Sequence, residues 1–183
     1  MFDALALLFS AFLSVAEAPQ MLPADALNIT VLADTAIVAA EPEIKADSNA
    51  VSVLTATNLL AYAETFKGTR YKYASADPKK GFDCSGFVMY VFNHFNMTVP
   101  RSSIGYTHVG KEIELKDALP GDLILFTGTN SKIRKVGHIG IIKDSCDGIS
   151  FIHASSGKAY SVTETTLGEH YKKRFMKVIR LLP

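Results

Sequence analysis

The order in which hydrophobic spacing changes along this chain is its strongest constraint. Between Ser52 and Phe66, Leu59, Tyr62, Ala63 and Phe66 recur at helical spacing, and Gly68 stands just beyond, where a helix C-terminus prefers glycine. A second apolar stripe, Phe87, Val88, Val91, Phe92 and Phe95, begins at Cys84 with Asp83 as its N-cap. A short third helix is expected after Ser102, ending near Gly110. After Pro120-Gly121 the texture turns to short β-rich runs: Asp122 to Phe126, Gly137 to Ile142, Ser150 to His153 and Lys177 to Leu182. Helices followed by consecutive strands predict an α+β domain over residues 51–183, its helices packed on an antiparallel sheet.

The residues before this domain read differently. The apolar run Ala4 to Ala16 ends in Ala16-Glu17-Ala18, so residues 1–18 are expected to be a cleaved secretory signal, although the basic start of such a signal is replaced by Asp3. Residues 19–50, rich in Ala, Asp, Glu and Pro, are expected to be a flexible acidic linker or pro-segment. No cysteine near Ala18 supports a lipid anchor, and no apolar stretch reaches the length of about eighteen residues that a spanning helix needs. The expectation is therefore an exported protein of the periplasm, cell envelope or exterior.

Charge follows the same division. Residues 1–66 carry −7 and residues 67–183 carry +8, so the net +1 is a cancellation. That balance argues against a nucleic-acid partner. Two cysteines, Cys84 and Cys146, are too few for a disulfide scaffold and form no Cys-x-x-Cys pair.

Cys84 has a chemical reading. The first turn of a helix offers free backbone N–H groups and a positive dipole end, which favour a thiolate, while Ser85 and Gly86 leave room for a carbonyl to approach. The alternative is that Cys84 is a small buried hydrophobe. Of the five histidines, His138 and His153 fall in apolar strand runs, and the glycines flanking His138 suit a close backbone approach. If those strands are neighbours, one imidazole acts as base and the other orients it; a lone strand histidine would otherwise be structural.

Six blocks occur in the order of the NlpC family of cell-wall cysteine peptidases. They are Gly68-Thr69-Arg70-Tyr71-x-Tyr73, Gly81-Phe82-Asp83-Cys84-Ser85-Gly86-Phe87-Val88, Pro100-Arg101-Ser102-Ser103, Pro120 to Phe126, Gly137 to Ile141 and Phe151 to Ser155. From about Lys67 to Pro183 the chain resembles that family, most closely the Spr-type murein endopeptidases. The resemblance implies a papain-like α+β fold and hydrolysis of amide bonds in peptidoglycan stem peptides or cross-links. It implies Cys84 as nucleophile, His138 as general base and then acid, and His153 as the orienting residue. By the same resemblance Tyr71, Asp83, Ser85, Arg101 and Ser102 lie along the oxyanion and substrate groove. No metal or other cofactor is implied, and a monomer is expected. The chain departs from the family where a glycine pair is usual: it has Ala74-Ser75, followed by a longer loop through Asp77 to Lys80.

Three rival readings follow from the same residues: a zinc site made by Cys84, His138 and His153, a Cys-His acyltransferase or amidase acting on a non-murein substrate, and a non-catalytic wall-binding module.

Overall fold

The first helix, α1 (Ala56–Glu64), starts at Thr55, whose hydroxyl oxygen accepts the Asn58 N–H at 3.1 Å. The computed structural model describes residues 53–183; the expected signal, the linker and the first two residues of the expected domain lie outside the described residues. α1 is shorter than the run that ends at Phe66, because the chain turns after Glu64 and Gly68, at φ +86°, passes its N–H to the Val162 carbonyl at 2.9 Å. A two-stranded hairpin follows, β1 (Ala76–Asp77) with β2 (Gly81–Phe82), closed by a turn in which the Asp77 carboxylate accepts the Lys79 N–H.

The second helix, α2 (Cys84–His94), begins where its stripe predicts, with Asp83 as N-cap accepting the Gly86 N–H at 2.6 Å. Phe87, Val88, Val91 and Phe92 are fully buried. The expected third helix is a 3-10 helix, Ser103–His108. Gly105 in its middle has poor helix propensity and packs against Pro100, and six residues give little room for an α-helix to propagate.

The remaining elements are β3 (Lys111–Ile113), β4 (Leu123–Thr127), β5 (Val136–Asp144), β6 (Ser150–Ala154), β7 (Val162–Thr166), the short helix α3 (Glu169–Lys172) and β8 (Phe175–Arg180). They form one six-stranded sheet in the order β3-β8-β4-β5-β6-β7, antiparallel at every pairing. The fold is thus the α+β arrangement that the order of helices and strands predicts and the papain-like one that the resemblance implies. The last strand starts two residues before Lys177 and stops at Arg180, because Leu181 and Leu182 leave the sheet to pack on the helical layer.

Period-two alternation divides the core between the sheet's faces. Leu123, Leu125, Ile139, Ile141, Ile152 and Ala154 pack with α1 and α2, whereas Ile124, Phe126, Ile142, Phe151 and Val178 pack in a second cluster with Leu167 and Tyr171. Covering both faces is why β4 is buried at all five positions. Polar clamps hold the margins. Asp122, 2% exposed, takes Arg180 Nε and Nη2 at 2.7 and 2.8 Å, and Lys143 bridges Glu64 on α1 and Glu164 on β7.

Candidate active site

Cys84 is the first residue of α2, 8% exposed, on the wall of a cavity of about 430 Å³. Tyr71, Asp83, Ser85, Arg101 and Ser102 line the same cavity, so six of the eight residues singled out from the sequence converge there. Asp83 organises this wall. Its Oδ1 caps α2 and accepts from Arg101 Nη1 at 3.0 Å, while Oδ2 accepts from Arg101 Nη2 at 2.7 Å. The Ser85 hydroxyl donates to Asp83 Oδ1 at 3.3 Å and accepts from Arg101 Nη1 at 3.4 Å. A fork-to-fork ion pair of this kind fixes both planes and ties the Arg101 loop to the start of α2.

Gly86 is required by close packing. A Cβ there would run into the Ser75 carbonyl and lie 2.9 Å from Asp83 Oδ1, and the Ser75 carbonyl is itself held by the Asp83 N–H at 2.9 Å. Next to Ser75, Ala74 takes a left-handed φ of 57° on the cavity wall. It does so where the glycine pair of the resembled family would sit, at a cost of about 1–2 kcal/mol for a residue with a Cβ.

The two histidines come from neighbouring strands. His138 on β5 and His153 on β6 point to the sheet face away from α2, and Nε2 of His138 lies 2.8 Å from Nδ1 of His153. His153 Nε2 lies 3.0 Å from the Thr165 hydroxyl on β7, which extends the chain to a residue that sequence reasoning missed. An alternating polar strand, Val-Thr-Glu-Thr-Thr, gives no sign that one of its threonines ends a buried hydrogen-bond chain. The link from this chain to Cys84 is the backbone of β5: Gly137 lines the cavity, and the Ile139 N–H lies where it favours the sulfur's anion. Gly137 permits this by close approach to the β4–β5 loop, where a Cβ would lie 2.7 Å from the Gly128 nitrogen.

Electrostatics refine the expectation of a helix-start thiolate. Burial pushes the Cys84 thiol up and the Asp83 charge pushes it further, outweighing the N–H groups of Ser85, Ile139 and Cys84 that favour the anion. Burial, then His153, then the cation of Arg174 hold His138 well below the usual imidazole range. Burial and then Arg174 bring His153 down to about 4. Both imidazoles are therefore neutral at pH 7, and the thiol carries its proton. Tyr71 is pushed up to about 12 by burial first and then by Cys84 and Asp83. Among the described residues no three His, Cys, Asp or Glu side chains converge as a metal site, so the zinc reading finds no ligand cage.

The groups on the page are thus a cysteine at a helix start on an acid-capped groove and a hydrogen-bonded pair of histidines on neighbouring strands. Residues 68–180 match the NlpC/P60 family, and the chain belongs to it. Curated relatives include the murein DD-endopeptidase MepS/murein LD-carboxypeptidase of Escherichia coli strain K12, 34% identical over 124 residues, which are 66% of this chain and 60% of that protein. The gamma-DL-glutamyl hydrolase of Bacillus subtilis strain 168 is 34% identical over 119 residues, 64% of this chain but 27% of that protein. The chain thus spans less than two thirds of the length of either. A probable endopeptidase NlpC of Escherichia coli strain K12 is 31% identical over 137 residues, 73% of this chain and 82% of that protein. Among solved structures, an NlpC/P60 family protein of Bacillus cereus aligns with a TM-score of 0.65 and 26% identity over 73% of this chain and 42% of its own.

Proposed function

We propose that this domain is a cysteine-type peptidase that hydrolyses amide bonds in peptidoglycan peptides, with Cys84 as nucleophile, His138 as general base and acid, and His153 as the residue that orients it. The observation that carries the proposal is the chain His138–His153–Thr165, which starts on the strand whose Gly137 lines the Cys84 cavity and whose Ile139 shares a buried cluster with Cys84. Nε2 of His138 is engaged by His153, so Nδ1 is the nitrogen left to take up a proton. That assignment sets every proton: His138 Nε2–H donates to His153 Nδ1, and His153 Nε2–H donates to the Thr165 oxygen.

As the sulfur bonds the carbonyl carbon, the thiol proton passes to His138 Nδ1 by way of a water at the start of β5, because the imidazole faces away from α2, and the developing oxyanion is met by backbone N–H groups at the start of α2. When the intermediate collapses, the C–N bond breaks and His138 gives its proton to the leaving amine. A water then loses a proton to the same nitrogen and attacks the thioester, releasing the carboxylic acid and restoring the thiol. Tyr71, Asp83, Ser85, Arg101 and Ser102 form the acyl side of the groove. The names of the relatives cited above support murein and glutamyl peptide bonds as the substrate class. The +8 of residues 67–183 draws such carboxylate-bearing peptides. Action on this substrate requires export to the envelope, in keeping with a signal at residues 1–18, and a site built from one chain suits a monomer.

Digestion of defined monomeric and cross-linked muropeptides, with products read by mass spectrometry, tests the proposal. Peptide fragments that each gain one water across an amide bond are expected. Intact substrate after prolonged incubation with folded protein would sink it.

A further inference from the structure

A second cavity, of about 210 Å³, adjoins His138 and is lined by Thr129, Ser155, Ser156, His170, Tyr171 and Arg174. Gly137 lines the Cys84 cavity and His138, the next residue on β5, lines this one, so the two hollows lie on opposite sides of the start of that strand.

Arg174 is 9% exposed, and among the described residues no carboxylate lies within 4 Å of its guanidinium. Its partners are the Gly128 carbonyl at 3.0 Å, the Thr127 carbonyl at 3.0 Å and His170 Nε2 at 3.2 Å. Tyr171 lies against it, with the guanidinium carbon 5.3 Å from the ring centroid. Three of an arginine's five N–H donors are thereby used, and a buried positive charge is left with neutral partners only. The other polar lining groups include the hydroxyls of Thr129, Ser155, Ser156 and Tyr171, and no acid. A cavity with a cation, hydroxyl donors and no anion of its own is complementary to a carboxylate.

We propose that this cavity binds a free carboxylate of the substrate on the leaving-group side of the cut bond, with Arg174 as its counter-ion. The reading rests on the peptidase function proposed above. His138 protonates the leaving amine, so the leaving fragment lies on the side of His138, and the Arg174 cavity is the one His138 lines. A residue whose amine is released and whose own carboxyl is free, or carried on its side chain, fits both requirements. On the side of the Cys84 cavity Arg101 is already paired with Asp83 and offers no such free counter-ion.

The test uses two peptides identical except that the leaving fragment carries a carboxylate in one and a carboxamide in the other. For the unmodified protein kcat/KM on the carboxylate is expected to exceed that on the amide by about ten- to a hundred-fold, most of it in KM. Equal kcat/KM on the two peptides overturns the inference while leaving the peptidase reading intact. Turnover of neither overturns the peptidase reading itself. In Arg174→Gln, and in Ser156→Ala should the first variant not fold, the preference is expected to shrink, to about unity for Arg174→Gln. A full preference retained in folded Arg174→Gln assigns the carboxylate to another site and overturns the inference.

Discussion

At the scale of single residues, the telling feature is that both partners of the proposed reaction are neutral at rest. Position at a helix start would favour a Cys84 thiolate, yet the residue is buried against an Asp83 carboxylate whose charge acts in the opposite sense. His138, held well below the ordinary imidazole range by burial and by its neighbours His153 and Arg174, is a weak but unprotonated base at neutral pH. Thiolate then forms only as the proton moves to His138. Inactivation of a Cys146→Ser protein by iodoacetamide should accelerate about tenfold per pH unit from pH 6 to 8, following the thiolate fraction of a thiol that titrates above this range. A flat rate across the interval would mean a preformed thiolate–imidazolium pair and would contradict this account.

At the scale of elements, the site depends on how α2 begins. Its N-cap, the Arg101 fork and the Ser75 carbonyl all crowd the first turn, which leaves hydrogen as the only side chain that fits at Gly86. Gly86→Ala should cost about 2 kcal/mol by overpacking, in spite of alanine's better helix propensity, and should lower kcat/KM by shifting Cys84. Thermal melting checks the first and steady-state kinetics the second; an unchanged midpoint would show that the Ser75 loop yields freely. The start of α2 was legible in the sequence because a cap and an apolar stripe are local signals. The edge strands β3 and β7 were not, since Lys-Glu-Ile and Val-Thr-Glu-Thr-Thr lack a hydrophobic run and are ordered by pairing with β8 and β6. The 3-10 form of Ser103–His108 was likewise decided by packing rather than spacing.

At the scale of the whole molecule, the sheet is what assembles a site from residues far apart in sequence. Cys84, His138 and His153 stand out in the sequence because each sits in a short motif, and the proposal above gives them their roles. Thr165, Arg174 and the pairing of Asp83 with Arg101 do not, because their roles come from contacts that span between 12 and 47 residues of chain. Burying the two imidazoles also sets how the fold responds to acid. His153 titrates near 4 in the folded protein against 6.5 when unperturbed, so an unfolded chain takes up its proton first. Its contribution is fully present above pH 6.5 and is lost as pH falls towards 4, by about 3 kcal/mol, with His138 acting in the same sense. Denaturant melts at pH 7.5 and 4.5 should show that a folded His153→Gln protein loses about 2–3 kcal/mol less than the unsubstituted one. Equal losses would show that the imidazole is not buried neutral.

The most direct measurement of the central claim is kcat/KM on one defined muropeptide for the unsubstituted protein and for Cys84→Ala, alongside their melting temperatures. The account predicts that removing the sulfur leaves the fold standing while cleavage falls by about 10⁴-fold or more. Cleavage by folded Cys84→Ala at a rate near that of the unsubstituted protein would contradict it.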